Sequence, residues 1–186
     1  CALALGTPAA VLAGIAQAAR HGVLIKGGAF LEQLGSLKTI AFDKTGTLTT
    51  GQPVVVDVVP LAAISGKELL RIAASVEQRS QHPLARAVVE RAFTEQIALS
   101  PVSDVASLTA RGIHATLDGV LIQIGSMRLW EDTEVPDAVR AAVEKLSAQG
   151  HGSMIVRAGT SWLGVIGLAD QPRAGVSDVL ASLHRL

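Results

Sequence analysis

Apolar positions along the chain recur with two periods, and the switches between them predict its elements. Residues 1–19 (CALALGTPAAVLAGIAQAA) carry no charge before Arg20. An apolar run of roughly 18 residues or more is a candidate membrane helix, and its Ala and Gly content suits close helix packing in lipid. Thr7-Pro8 predicts a kink that frees a backbone carbonyl. Arg20, His21 and Lys26 follow at once, so the positive-inside tendency places the chain after about residue 20 in the cytoplasm. No basic leader or initiating Met precedes the run, which argues against a signal peptide; a buried helix of a soluble protein is the alternative. Gly22–Lys26 then reads as a strand, Gly28–Leu34 as a short helix and Leu37–Phe42 as a second, buried strand, a βαβ start to a Rossmann-like domain.

Thr50-Gly51-Gln52-Pro53 is punctuation and predicts a hinge out of that first piece. Beyond it the pattern predicts a strand over Val54–Val59 and helices over 66–78 and from Pro83 to about Gln96, with Pro83 in a first turn as N-terminal prolines prefer. Residues 107–126 read as a hairpin turning at Asp118-Gly119. A helix over 136–149 stops at Gly150, and strands over Met154–Ala158 and Trp162–Leu168 follow. Arg173–Leu186 begins another helix. The expected class is α/β: a partial transmembrane helix and stalk over 1–20, a first domain begun over 21–52, an inserted α+β domain over 53–168, and a return to the first domain over 169–186.

Composition narrows the function. Hydrophobic residues are 49%, which excludes a disordered chain, and 16 basic residues balance 16 acidic ones. Zero net charge and 3% aromatic content give no reason to expect nucleic acid as a partner. The single Cys1 permits no internal disulfide and suggests a reducing compartment.

The strongest chemical candidate is Asp43, expected where a parallel strand ends and a loop begins, the edge at which open α/β sheets bind ligands. A carboxylate there can attack phosphorus. Lys44 can offset negative charge, Gly46 allows close backbone approach, and Thr45 and Thr47 can donate to phosphate oxygens. Like charge on a triphosphate calls for Mg²⁺ between the two. Lys26-Gly27-Gly28 lacks the spacing of either glycine-rich nucleotide motif and reads as a turn. His114 falls on a strand and reads as structural or solvent-facing.

Asp43-Lys44-Thr45-Gly46-Thr47-Leu48-Thr49 resembles the phosphorylation motif of P-type ATPases. CALALGTPAA resembles the membrane segment of the heavy-metal-transporting branch, in which Cys-Pro-Cys or Ser-Pro-Cys opens the motif, and Cys1 matches its last residue. Glu77-Gln78-Arg79-Ser80-Gln81-His82-Pro83-Leu84 resembles the Ser-Glu-His-Pro-Leu signature of that branch, with Gln81 in place of the usual Glu. Ala110-Arg111-Gly112 stands where the family carries Gly-x-Gly, and Asp170-Gln171-Pro172-Arg173 resembles its Asp-x-x-Arg link back into the phosphorylation domain.

The resemblance implies an internal fragment of a multi-pass membrane pump that couples ATP hydrolysis to metal translocation. Its fold would be an incomplete haloacid-dehalogenase-type phosphorylation domain with an inserted nucleotide-binding domain. It further implies Asp43 as phosphorylated nucleophile, Thr45 giving a backbone carbonyl to Mg²⁺ beside Asp43, Glu77 and His82 holding adenine, and Gly112 near the phosphates. Cys1 would be a ligand of the transported cation, its thiolate suiting Cu⁺, Zn²⁺ or Co²⁺; CALALGTP, rather than CALGLATP, leans to cobalt or a related divalent ion. The lysine and Gly-Asp-Gly-x-x-Asp loop that complete the family's Mg²⁺ site, and its actuator domain, belong to the remainder of the parent chain, so the isolated piece is expected to bind ATP weakly and catalyse little. A soluble haloacid dehalogenase-type phosphatase is the rival; it usually carries a second Asp two residues after the first, where Thr45 stands. A non-catalytic nucleotide-binding module over 53–168 is the third reading.

Overall fold

The computed structural model describes residues 2–109 and 111–185, with side chains from residue 6 onward. The chain divides into two units, Cys1–Phe42 and Asp43–Leu186.

In the first unit, α1 (Ala2–Arg20) and α2 (Gly28–Leu34) form where the pattern predicts them. They pack through glycines: a Cβ on Gly14 would lie 2.8 Å from Leu31 Cδ2, and one on Gly28 would lie 2.7 Å from Val11 Cγ1. Among the described residues no helix is long and apolar enough to cross a membrane. The strands expected over 22–26 and 37–42 are absent, and both stretches are irregular. A strand exists only when a neighbour accepts its hydrogen bonds, and every strand of the sheet comes from the second unit. No described side chain of the first unit is buried, and Leu24, Phe30, Leu37 and Ile40 are exposed.

The second unit is built on one six-stranded sheet in the order β1-β6-β5-β4-β3-β2, with every pair antiparallel. Its strands are β1 (Thr49–Pro60), β2 (Ser103–Leu108), β3 (Gly112–Leu117), β4 (Val120–Gly125), β5 (Gly152–Ala158) and β6 (Ser161–Pro172). The expected hinge at 50–53 lies inside β1 as an irregular stretch, where the register slips between Thr49 and Pro53 and Gly51 takes φ 72°. β2 is an exposed edge strand without apolar alternation, which is why the pattern did not reveal it. Asp118 and Gly119, at φ 49° and 78°, make the two-residue turn that the hairpin signal predicts.

Period-2 alternation divides the core between the two faces of the sheet. α3 (Gly66–Glu77) and α4 (Pro83–Thr94) supply Leu69, Leu70, Val76 and Val88 to one face, where they meet Ile113, Ile124, Val156, Ile166 and Leu168. Each such side chain contributes about 1.5–3 kcal/mol by leaving water. On the other face, α5 (Asp137–Ala148) packs Val139 and Leu146 over Ile155 and Val165, beside Trp130, which meets Trp162 edge to face at 5.2 Å. At the β1 edge, the Arg91 guanidinium donates to the Val55 carbonyl at 3.2 Å. α6 (Val176–Leu183) follows β6.

Candidate functional site

The end of α3, the start of α4 and the strands β3 and β4 enclose a cleft of about 280 Å³. Glu77, the last residue of α3, is 4% exposed in it. Burial pushes its carboxyl up from an ordinary 4.5 to about 7, and a hydrogen bond with Ser80 pulls the other way. The chain leaves α3 through a turn in which the Ser80 N–H donates to the Glu77 carbonyl at 2.8 Å, then starts α4 at Pro83. His82 is the N-cap: its Nδ1 accepts from the Leu84 N–H at 3.2 Å. That bond requires an unprotonated Nδ1, so the neutral ring carries its proton on Nε2 and keeps that nitrogen as a free donor. Capping a helix and meeting a ligand are therefore compatible, because the two ring nitrogens do different things.

The facing wall is set by two glycines paired across β3 and β4, Gly112 and Gly125. A Cβ on Gly112 would lie 2.0 Å from the Ile124 carbonyl oxygen, and one on Gly125 would lie 2.2 Å from that of Arg111. Side chains are excluded there, and the cleft floor is bare backbone. Ser126 and Ser153 also line the cleft, and the residue pattern gave no sign of them; Arg111, inside the segment that stands at the family's Gly-x-Gly place, lines it as well. Only the strand pairing reveals Gly125 as the partner of Gly112.

Asp43 does not follow a strand. Its backbone is extended (φ −68°, ψ 142°), and it opens a tight turn over Lys44–Leu48 that runs into β1. Gly46 takes φ 80°, the left-handed region that favours glycine. Asp43, Lys44, Thr45 and Thr47 are all exposed. Beneath them Thr49 is 5% exposed, and its hydroxyl accepts from the Gly46 N–H at 3.1 Å and donates to Asp170 Oδ2 at 2.5 Å. Arg173 grips the turn from the same strand end: Nη2 donates to the Gly46 carbonyl at 2.8 Å and Nε to that of Thr47 at 3.1 Å. The Arg173 N–H also donates to the Leu48 carbonyl. Asp170 and Arg173 thus hold the turn that carries Asp43, which sequence spacing could not disclose across more than a hundred residues.

Glu77, His82 and Gly112 meet in one cleft, and Asp43, Lys44, Thr45 and Thr47 share one turn, none of whose residues lines that cleft. Cys1 and Ala110 lie outside the described residues. Among the described residues no group of three or more His, Cys, Asp or Glu could hold a metal ion. The turn nevertheless offers donors that suit Mg²⁺, which takes oxygen ligands and commonly keeps waters and phosphate oxygens beside one or two carboxylates. The Asp43 carboxylate is exposed, and Arg173 takes the carbonyls of Gly46 and Thr47 but not that of Thr45.

Residues 37–186 match the family described as haloacid dehalogenase-like hydrolase. The chain belongs to that family. Among haloacid dehalogenase-like hydrolases its relatives are heavy-metal P-type ATPases, ATP-hydrolysing enzymes. It is 44% identical over 192 residues to a probable cadmium-transporting ATPase of Staphylococcus aureus (strain MRSA252), which covers all of this chain and 26% of that protein. It is 41% identical over 186 residues to a zinc/cadmium/lead-transporting P-type ATPase of Escherichia coli (strain K12), covering 100% of this chain and 25% of that one. The crystal structure of a zinc-transporting PIB-type ATPase in its E2.Pi state superposes with a TM-score of 0.81 at 40% identity, over 100% of this chain and 30% of that one. The chain therefore spans about a quarter of the length of the curated relatives it matches. These relatives are named for cadmium, zinc and lead.

Proposed function

We propose that this haloacid dehalogenase-like chain is the catalytic segment of an ATP-driven pump for a soft or borderline divalent cation of the zinc and cadmium class. In this reading the cleft holds adenine. The Glu77 carboxylate accepts from the exocyclic amine, and the His82 ring presents its face and its Nε2–H to the purine. Gly112 and Gly125 let backbone approach the ligand where any Cβ would intrude. Asp43 attacks the γ-phosphorus of ATP; a bond forms from its carboxylate oxygen, the bond to the β–γ bridging oxygen breaks, and ADP leaves with that electron pair. Lys44 offsets charge, and the turn amides and the hydroxyls of Thr45 and Thr47 donate to the transferred group. Asp43 and the Thr45 carbonyl would hold Mg²⁺, which when bound supplies charge neutralisation between carboxylate and triphosphate. Translocation itself, the membrane location and the part of Cys1 in metal transport belong to this proposal.

The observation that carries the reading is an exposed aspartate on a turn fixed by Asp170 and Arg173, within the same unit as a cleft built around a buried acid and a half-free imidazole. Thr45, in place of a second aspartate, leaves the leaving group without a nearby carboxylic proton donor and favours phosphoenzyme formation over simple ester hydrolysis. The deciding experiment measures ATP hydrolysis by the full-length protein with and without Zn²⁺ or Cd²⁺. Metal-stimulated turnover abolished by Asp43→Asn supports the pump; metal-independent hydrolysis of simple phosphate esters at the same aspartate would make the protein a phosphatase instead.

A further inference from the structure

Among the described residues that line the cleft, Arg111 is the only Lys or Arg. Its backbone is fixed on both sides: its N–H donates to the Leu108 carbonyl at 2.9 Å, and its carbonyl accepts from the Ser126 N–H at 3.2 Å. Gly125, which has no Cβ to fill the space beside that carbonyl, allows the close approach. The residue itself is exposed, and among the described residues no hydrogen bond or ion pair engages its guanidinium. The one carboxylate in the cleft, Glu77, is buried with Ser80 as its partner. The cleft is thus polarised, with an acid at its closed end and an unpartnered cation where it meets solvent.

A ligand that places a hydrogen-bond-donating base at the closed end must send the rest of itself toward the open one. We propose that Arg111 binds the polyphosphate tail of the nucleotide and makes the cleft prefer nucleoside di- and triphosphates to the bare nucleoside. The assignment rests on reading the cleft as a nucleotide site. A guanidinium suits the role because its planar fork donates to two phosphate oxygens at once and stays charged at any working pH. The fixed backbone lowers the entropy lost when that side chain orders on a ligand.

The test is calorimetric titration of the chain with adenosine, AMP, ADP and ATP, in wild-type, Arg111→Gln and Arg111→Lys forms whose thermal midpoints agree. In Arg111→Gln, affinity for ADP and ATP should fall about three- to tenfold, the range of one charge-assisted contact at a solvent-facing site, while adenosine affinity stays unchanged. Arg111→Lys should recover part of the loss, and Arg111→Gln should flatten the salt dependence of ATP binding. Equal weakening of all four ligands, or none, would overturn the assignment. Wild-type chain that binds neither adenosine nor ATP would remove the nucleotide reading of the cleft and this proposal with it.

Discussion

Glu77 titrates near neutrality because its carboxylate is denied water, and its ordinary value is 4.5. Below 4.5 the folded and unfolded chains are both protonated there and nothing is lost. As pH rises toward 7 the unfolded chain ionises while the folded one holds its proton, so stability falls, and the full penalty is present above about 7. Glu77→Gln, which carries no charge to desolvate, should therefore melt higher than wild type at pH 8, by roughly 3 kcal/mol at most, with the difference vanishing near pH 4.5. Thermal melts across that range check the sign. ATP affinity of the wild type should rise through pH 7, since the ionised carboxylate is the stronger acceptor for the exocyclic amine, and Glu77→Gln should lose that dependence. His82 separates its two duties by substitution. His82→Ala should lose about 1 kcal/mol with the cap and also lose nucleotide affinity, whereas His82→Asn should retain the cap and lose affinity alone. Melting and titration on the two variants tell them apart.

At the scale of elements, the β3–β4 pair and the Asp43 turn depend on contacts that local pattern cannot carry. Gly125→Ala would drive a Cβ to 2.2 Å from the Arg111 carbonyl oxygen, so it should cost about 3 kcal/mol or more and distort the cleft floor. A denaturant midpoint close to wild type would show that the strands separate more easily than this packing implies. Arg173→Ala removes two donors from the turn carbonyls while leaving the sheet intact. Amide exchange over residues 44–48 should quicken about fivefold, the effect of roughly 1 kcal/mol of lost hydrogen bonding, with little change in β5. Helices were legible wherever period 3.6 met a terminator, as in α2 and α5, and the Asp118-Gly119 turn was legible because only a few residues accept positive φ twice. GVLIK and LKTIAF carry the right residues for strands yet form none, because a strand's partner is not written in its own residues. Asp170 and Arg173 were readable as a link between domains, but their grip on Gly46, Thr47 and Thr49 joins distant positions and appears only once β1 and β6 are paired.

At the scale of the whole molecule, the second unit has a two-sided core, and the first has no buried side chain among its described residues. Amides over 22–42 should accordingly exchange orders of magnitude faster than those of β4 to β6, which lie inside the sheet. The motif around Asp43 and the His-Pro segment suggested a chemistry through their resemblance to the P-type ATPase family; the structure puts the first on an exposed turn and His82 in the cleft. The cleft's glycine floor and its lone arginine needed the three-dimensional arrangement. Whether Asp43 accepts phosphate is measured directly by transfer of label from γ-³²P-ATP to the full-length protein, quenched in acid. The expected result is an acid-stable, hydroxylamine-labile label that is absent from Asp43→Asn. Label of the same amount and lability retained in Asp43→Asn would contradict it.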